Sequence, residues 1–228
     1  MTGALGSFGR VLVIAPHPDD EVLGCGGTMA RLAGEGCETH VAVVTRGSLP
    51  EFDEATVAGI RAEARTAHAH LGVTRTHWLD QPAAKLAETP HSTLNAALQG
   101  IVRELRPDTL FIPFVGDMHL DHQLIFLSSL VAARPHQAEY PRRILAYETV
   151  SETNWNAPYV TPGFLPQVFV DIENTLDHKL QAMAMFASQV RPFPHERSIE
   201  ALRALALVRG TRIHRSAAEA FVLVRDVF

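Results

Sequence analysis

Apolar residues in this chain follow two rhythms. Short runs rich in Val, Leu and Ile recur at 11–16, 40–45, 76–80, 109–114, 144–150, 168–172 and 220–227, and runs of that length and composition predict strands. Between them, apolar positions return every three or four residues, which predicts helices over 22–33, 56–71, 92–105, 121–133, 175–187 and 198–208. The early strand runs show no polar alternation, so each strand is expected to be covered on both faces.

Strands alternating with helices, and strands buried on both sides, predict an α/β fold. The expected form is a single-domain, Rossmann-like, doubly wound and mostly parallel sheet with helices on both faces. Asn174 and Ser198 stand where they would cap helix N-termini, and Gly34, Gly72 and Gly210 stand where a left-handed residue would end a helix. Residues 152–167, with three prolines and two asparagines, read as a long connection of the kind that often carries function. No repeat or break in composition divides the 228 residues, so one domain over 1–228 is expected.

Composition narrows the function. The chain is 46% hydrophobic and 20% charged, the profile of a soluble globular protein, and its formal charge of -5 leaves no basic surplus for gripping nucleic acid. A small-molecule partner fits better. The two cysteines, Cys25 and Cys37, suggest neither a disulfide framework nor a thiolate metal site. No apolar stretch is long enough to span a bilayer and the N-terminal residues lack an apolar signal core, so a cytoplasmic protein is expected.

The first strand run ends in His17, Asp19, Asp20 and Glu21, carboxylates that repel one another unless a positive charge sits among them. Ligands of open α/β sheets bind beyond the carboxyl ends of strands, where this cluster lies. His17 and Asp20 are about one helical turn apart and can face one point. After the strand run at 109–114 comes a second cluster, His119, Asp121 and His122. His17, Asp20 and His122 together make an open three-ligand site for a divalent metal such as zinc, which would supply the missing positive charge. Asp19 would then take a proton from a water acidified by the metal. His119, oriented by Asp121, would stabilise a developing oxyanion.

The stretches "APHPDDEVLGCGG" and "PFVGDMHLDHQ", in that order, resemble the PIG-L/LmbE-like zinc-dependent N-deacetylases. "RAEARTAHAHLG", "AYETVSETNW", "RSIEALRALALVRG" and "AEAFVLVR" carry the likeness along most of the chain. The resemblance implies removal of an acetyl or other small acyl group from the nitrogen of an N-acetylglucosamine-type sugar or glycoconjugate. It assigns His17, Asp20 and His122 to the metal, Asp19 as general base, and His119 as the electrophilic or acid group held by Asp121. It further implies a substrate-binding arginine on the second helix, here Arg61, and a homo-oligomer, trimeric or hexameric.

Other readings stand beside this one. Two histidines and a carboxylate also form the facial triad of non-haem Fe(II) oxygenases, and Fe2+ suits the same ligands. The glycines of "GCGG" invite comparison with a nucleotide cradle, although they lack GxGxxG spacing. Glu21 reads either as a first-turn acid or as an outer partner of a ligand histidine. Trp155 reads as a sugar platform or a loop aromatic against the core. Tyr147 and Glu148, with Arg46 and Ser48, lie where strands end toward the same sheet edge, and Tyr147 is read as a further substrate-binding residue. His195 stands in a Pro-rich loop able to fold over the site. His68, His70, His91, His136 and His178 read as surface or packing residues.

Overall fold

The computed structural model describes residues 8–228. Strands β1 (Val11–Ala15), β2 (Thr39–Arg46), β3 (Arg75–Pro82), β4 (Thr109–Pro113) and β5 (Arg143–Tyr147) alternate with helices α1 (Asp20–Gly34), α2 (Glu54–His70), α3 (His91–Leu105) and α4 (Leu120–Ala132). The chain closes with β6 (Val168–Asp171), α5 (Leu176–Ala184), α6 (Ile199–Thr211) and β7 (Ala218–Arg225). The sheet runs β3-β2-β1-β4-β5-β7-β6. β3, β2, β1, β4 and β5 pair in parallel, and β7 lies antiparallel between β5 and β6. The expected mostly parallel, doubly wound α/β sheet is the fold observed.

The strand pleat explains the two layers. Val11, Val13 and Ala15 of β1 enter one core with Val22, Met29 and Leu32 of α1, Ala64 and Ala67 of α2, and residues of α5 and α6. Leu12 and Ile14 enter the other with Leu94 and Leu98 of α3 and Ile125 of α4. A strand whose successive residues serve opposite cores must be apolar throughout. β1 pairs on either side with β2 and β4, so the chain reverses direction across the sheet at β1, and the carboxyl ends of β1 and β4 lie side by side.

The glycines of "GCGG" serve close packing of α1 rather than a nucleotide. A Cβ on Gly24 would stand 2.3 Å from the Tyr147 ring, and one on Gly27 would stand 2.7 Å from Ile172. Beneath them, Glu219 of β7 accepts the Gly27 and Thr28 N–H groups at 3.0 and 2.7 Å. Lys179 of α5 donates to Glu219 at 2.6 Å and to the Leu23 carbonyl at 2.7 Å, so each charge of this buried pair is hydrogen-bonded beyond its partner. Cys25 is a buried filler in the same layer.

Ser198 and Gly72 act as expected: the Ser198 hydroxyl accepts the Ala201 N–H at 3.1 Å, and Gly72 has φ +74. The other caps differ. Thr175, not Asn174, precedes α5, and its side chain makes no cap bond. Gly36, at φ +78, is the left-handed residue after α1, two positions beyond Gly34. Gly210 lies inside α6, where a Cβ would meet the Arg215 carbonyl at 2.6 Å; the left-handed turn falls at His214. α5 also stops at Ala184, short of 187, and β5 stops at Tyr147, so residues 148–150 leave the sheet.

Candidate metal centre

His17 follows β1 and Asp20 opens α1, while His122 sits in the first turn of α4 beyond β4. The sheet thus brings two distant stretches to one point. His17 Nδ1 lies 3.2 Å and His122 Nε2 lies 3.3 Å from the same oxygen, Oδ2 of Asp20. His17, Asp20 and His122 each offer a ligand atom within 4.8 Å of the others. Asp20 and His122 are buried, and His122 Nε2 makes no hydrogen bond although it is shut away from water. A buried nitrogen without a partner is rare. Two imidazoles and a carboxylate converging on one point are a fitting donor set for zinc or Fe2+, with coordination positions left over.

Each of the two histidines is backed by a carboxylate. His122 Nδ1 donates to Asp117 Oδ2 at 2.8 Å, and Asp117 also accepts the Thr153 hydroxyl at 2.6 Å. His17 Nε2 lies 3.2 Å from Asp121 Oδ2, which also takes the Ala84 N–H at 2.7 Å. This corrects the expected role of Asp121: its carboxylate holds His17, whereas His119 is held by the Asp121 backbone, whose N–H donates to His119 Nδ1 at 3.1 Å. The bond leaves the ring proton of His119 on Nε2, where it is free to donate. Burial, and after it the neighbouring His17, lower the His119 pKa, which favours this neutral form.

Asp19 lies beside the ligands, 2% exposed, in a backbone conformation with φ 122 that non-glycine residues rarely adopt. Burial, with Asp20 and Glu21 close by, pushes its carboxyl up to about 8 against the pull of Arg197. Arg197 is a residue the sequence reading missed. Its guanidinium meets Asp19 Oδ2 at 2.9 Å, Ser151 Oγ at 2.9 Å and Glu152 at 3.5 Å. Asp117 and Glu152 were missed as well. The signal for Asp117 was present, a carboxylate two residues before His119; Arg197 had only its place beside His195 in the Pro-rich loop.

These groups open into a cleft of about 260 Å³ lined by His17, Asp19, His119, Glu152 and Arg197 on one side and by Phe52, Val57, Ile60 and Arg61 on the other. Arg61 is therefore on the cleft wall, where it pairs with Asp80 and lies 4.6 Å over the Trp78 ring. Arg46 also lines the cleft. Trp155 is half exposed on the 152–167 loop, its ring centroid 5.8 Å from that of His195 in an edge-on arrangement. Tyr147 cannot bind substrate as expected. It is fully buried beneath Gly24, and its hydroxyl donates to the Ile14 carbonyl at 2.8 Å. Glu148 is tied to Arg209. His68, read as a packing residue, instead pairs with Glu21 at 2.8 Å.

Fold and centre together define an α/β protein with an open-faced metal-type site at the carboxyl ends of its first and fourth strands. The family profile described as PIG-L, GlcNAc-PI de-N-acetylase, matches residues 12–133, and the chain belongs to that family. It is 29% identical to the 1D-myo-inositol 2-acetamido-2-deoxy-alpha-D-glucopyranoside deacetylase of Rhodococcus jostii, over 81% of this chain and 83% of that one. Among solved structures, the conserved protein TT1542 of Thermus thermophilus superposes with a TM-score of 0.79 at 28% identity, covering 96% of each chain. The N,N'-diacetylchitobiose deacetylase of Pyrococcus horikoshii superposes with a TM-score of 0.75 at 26% identity, covering 98% of this chain and 87% of that one. The oxygenase reading finds no support in this fold or family. Among the described residues no helix is long and apolar enough to cross a membrane.

Proposed function

We propose that the protein is a zinc-dependent deacetylase that hydrolyses the N-acetyl amide of an amino sugar or its conjugate. The observation that carries this reading is the convergence of His17, Asp20 and His122, the last two buried and His122 Nε2 without a hydrogen bond, beside Asp19 in an open cleft. Membership of a de-N-acetylase family and relatives named for amino-sugar deacetylation support it. When bound by these ligands, zinc supplies a Lewis acid for the carbonyl and lowers the pKa of water toward neutrality; Fe2+ suits the same donors.

The chain's own groups then divide the work. Asp19 accepts the proton of the water whose oxygen attacks the amide carbon. His119 donates its Nε2–H to the oxygen that gains charge. As the carbon–nitrogen bond breaks, the proton held by Asp19 passes to the departing nitrogen, giving a free amine and acetic acid, which ionises to acetate. Burial raises the Asp19 carboxyl above the usual carboxylate range, which makes it a stronger proton acceptor, while Arg197 and a bound cation favour its charged form. Arg61 on the cleft wall and Trp155 on the exposed 152–167 loop are the candidate sugar contacts.

Acetate release from a panel of N-acetylated amino sugars, measured with bound metal, tests the assignment. Asp19→Asn is expected to keep its metal and lose about 10²- to 10⁴-fold in turnover. His119→Ala is expected to lose about 10²- to 10³-fold, also with metal retained. Parental turnover in Asp19→Asn would remove Asp19 as the base, and failure of the wild-type protein to release acetate from any member would remove the reading itself.

A further inference from the structure

Asp19 presents a physical problem. A non-glycine residue at φ 122 persists only where its surroundings over-determine it, and each of its groups is indeed held. Its carbonyl accepts the Val22 and Leu23 N–H groups at 3.0 and 2.9 Å, and its carboxylate meets Arg197. Its own N–H donates to Glu21 Oε2 at 3.2 Å. Glu21 is wholly buried, and its other oxygen, Oε1, is taken by His68 Nε2 at 2.8 Å. His68 is 2% exposed, and its Nδ1 is fixed in turn by the Thr76 hydroxyl of β3 at 2.7 Å. A continuous chain of hydrogen bonds, buried from His68 inward, thus runs from β3 through α2 to the backbone of Asp19.

We propose that His68, on α2 and outside the cleft, is a positioning residue for the catalytic base: acting through Glu21, it fixes the strained backbone of Asp19. Glu21 cannot do this alone, because a buried carboxylate with one oxygen unsatisfied would turn toward another donor or draw in water. The pairing also ties the base to the substrate wall. Val57, Ile60 and Arg61 line the cleft from the same helix, and Arg61 lies seven residues, about two turns, before His68. Through His68, α2 therefore sets the distance between the wall and the group that handles the proton.

The inference rests on Asp19 being the base, so its test reads both turnover and the backbone itself. His68→Ala is expected to lower kcat about 10- to 100-fold with KM within about twofold, as for a misplaced reacting group. Amide hydrogen exchange at Asp19 should accelerate in the same variant while the β1 and β4 amides stay protected. His68→Gln, whose amide nitrogen is as many bonds from Cβ as Nε2, should restore both. His68→Leu, which fills the volume without an N–H, replaces the alanine variant if that one does not fold, and should behave as His68→Ala does. An Asp19 amide as protected in His68→Ala or His68→Leu as in the wild type overturns the proposal, and so does a glutamine variant that restores neither reading. Exchange decides the matter even if no N-acetylated sugar is turned over, which separates this inference from the proposed reaction.

Discussion

At the scale of single residues, the cluster that could hold a metal was legible in the sequence because its parts are local: His17 and Asp20 share one turn, and His119, Asp121 and His122 sit together at a helix start. Their supporting partners were not. Asp121 stands two residues from His119 and invited assignment to it, yet its carboxylate serves His17, 104 positions away. Arg197 reaches Asp19 across 178 positions. Only the assembled sheet makes such pairs neighbours. Asp117 tests whether these partners matter chemically. It fixes Nδ1 of His122 as the donor nitrogen and so leaves Nε2 as the nitrogen that a metal would take, although burial raises its own pKa. Asp117→Asn keeps the shape and weakens that hold. Zinc affinity should fall about 10- to 100-fold, read by competition with a chromogenic chelator. An unchanged affinity would reduce Asp117 to a packing residue.

At the scale of elements, strands and helices were read within a few residues, because the apolar periods of buried strands and amphipathic helices differ sharply. What escaped was helix-to-strand packing. Tyr147 looked like a residue pointing toward the sheet edge, but the absence of a side chain at Gly24 lets α1 lie directly on its ring. The same geometry accounts for "GCGG", whose glycines let α1 approach the sheet closely while Glu219 and Lys179 satisfy backbone groups of the helix. Gly24→Ala is accordingly expected to destabilise the fold by about 1–3 kcal/mol, since the added carbon meets a ring that is itself fully packed. A lower urea midpoint with an unchanged slope checks this. Because α1 begins at Asp20, the shift should also weaken metal binding.

At the scale of the molecule, the centre joins the end of β1 to the start of α4, halves that meet only in the folded chain. A metal bound there favours the folded state by mass action, and protons compete for the same nitrogens. Burial works against a charged ring at both histidines. At His17, Asp121 and Asp20 outweigh it and raise the pKa to about 9; at His122, Asp20 and Asp117 raise it to about 10. Both values exceed the ordinary 6.5, so in the metal-free protein these protons contribute stability below about pH 6.5 that is lost as pH rises through 9 to 10. Zinc must displace them, and its grip therefore strengthens as pH rises. At a hundredfold excess over its dissociation constant zinc should add about 2.7 kcal/mol. For a chain of this size that corresponds to a Tm increase of roughly 5–10 °C. At fixed zinc the increase should be larger at pH 8 than at pH 6.5, and chelation should abolish it. His122→Ala, which removes one ligand from the far half, should show little increase at either pH. Equal shifts at the two pH values, or a full shift in His122→Ala, would mean that the cation binds somewhere other than between β1 and α4.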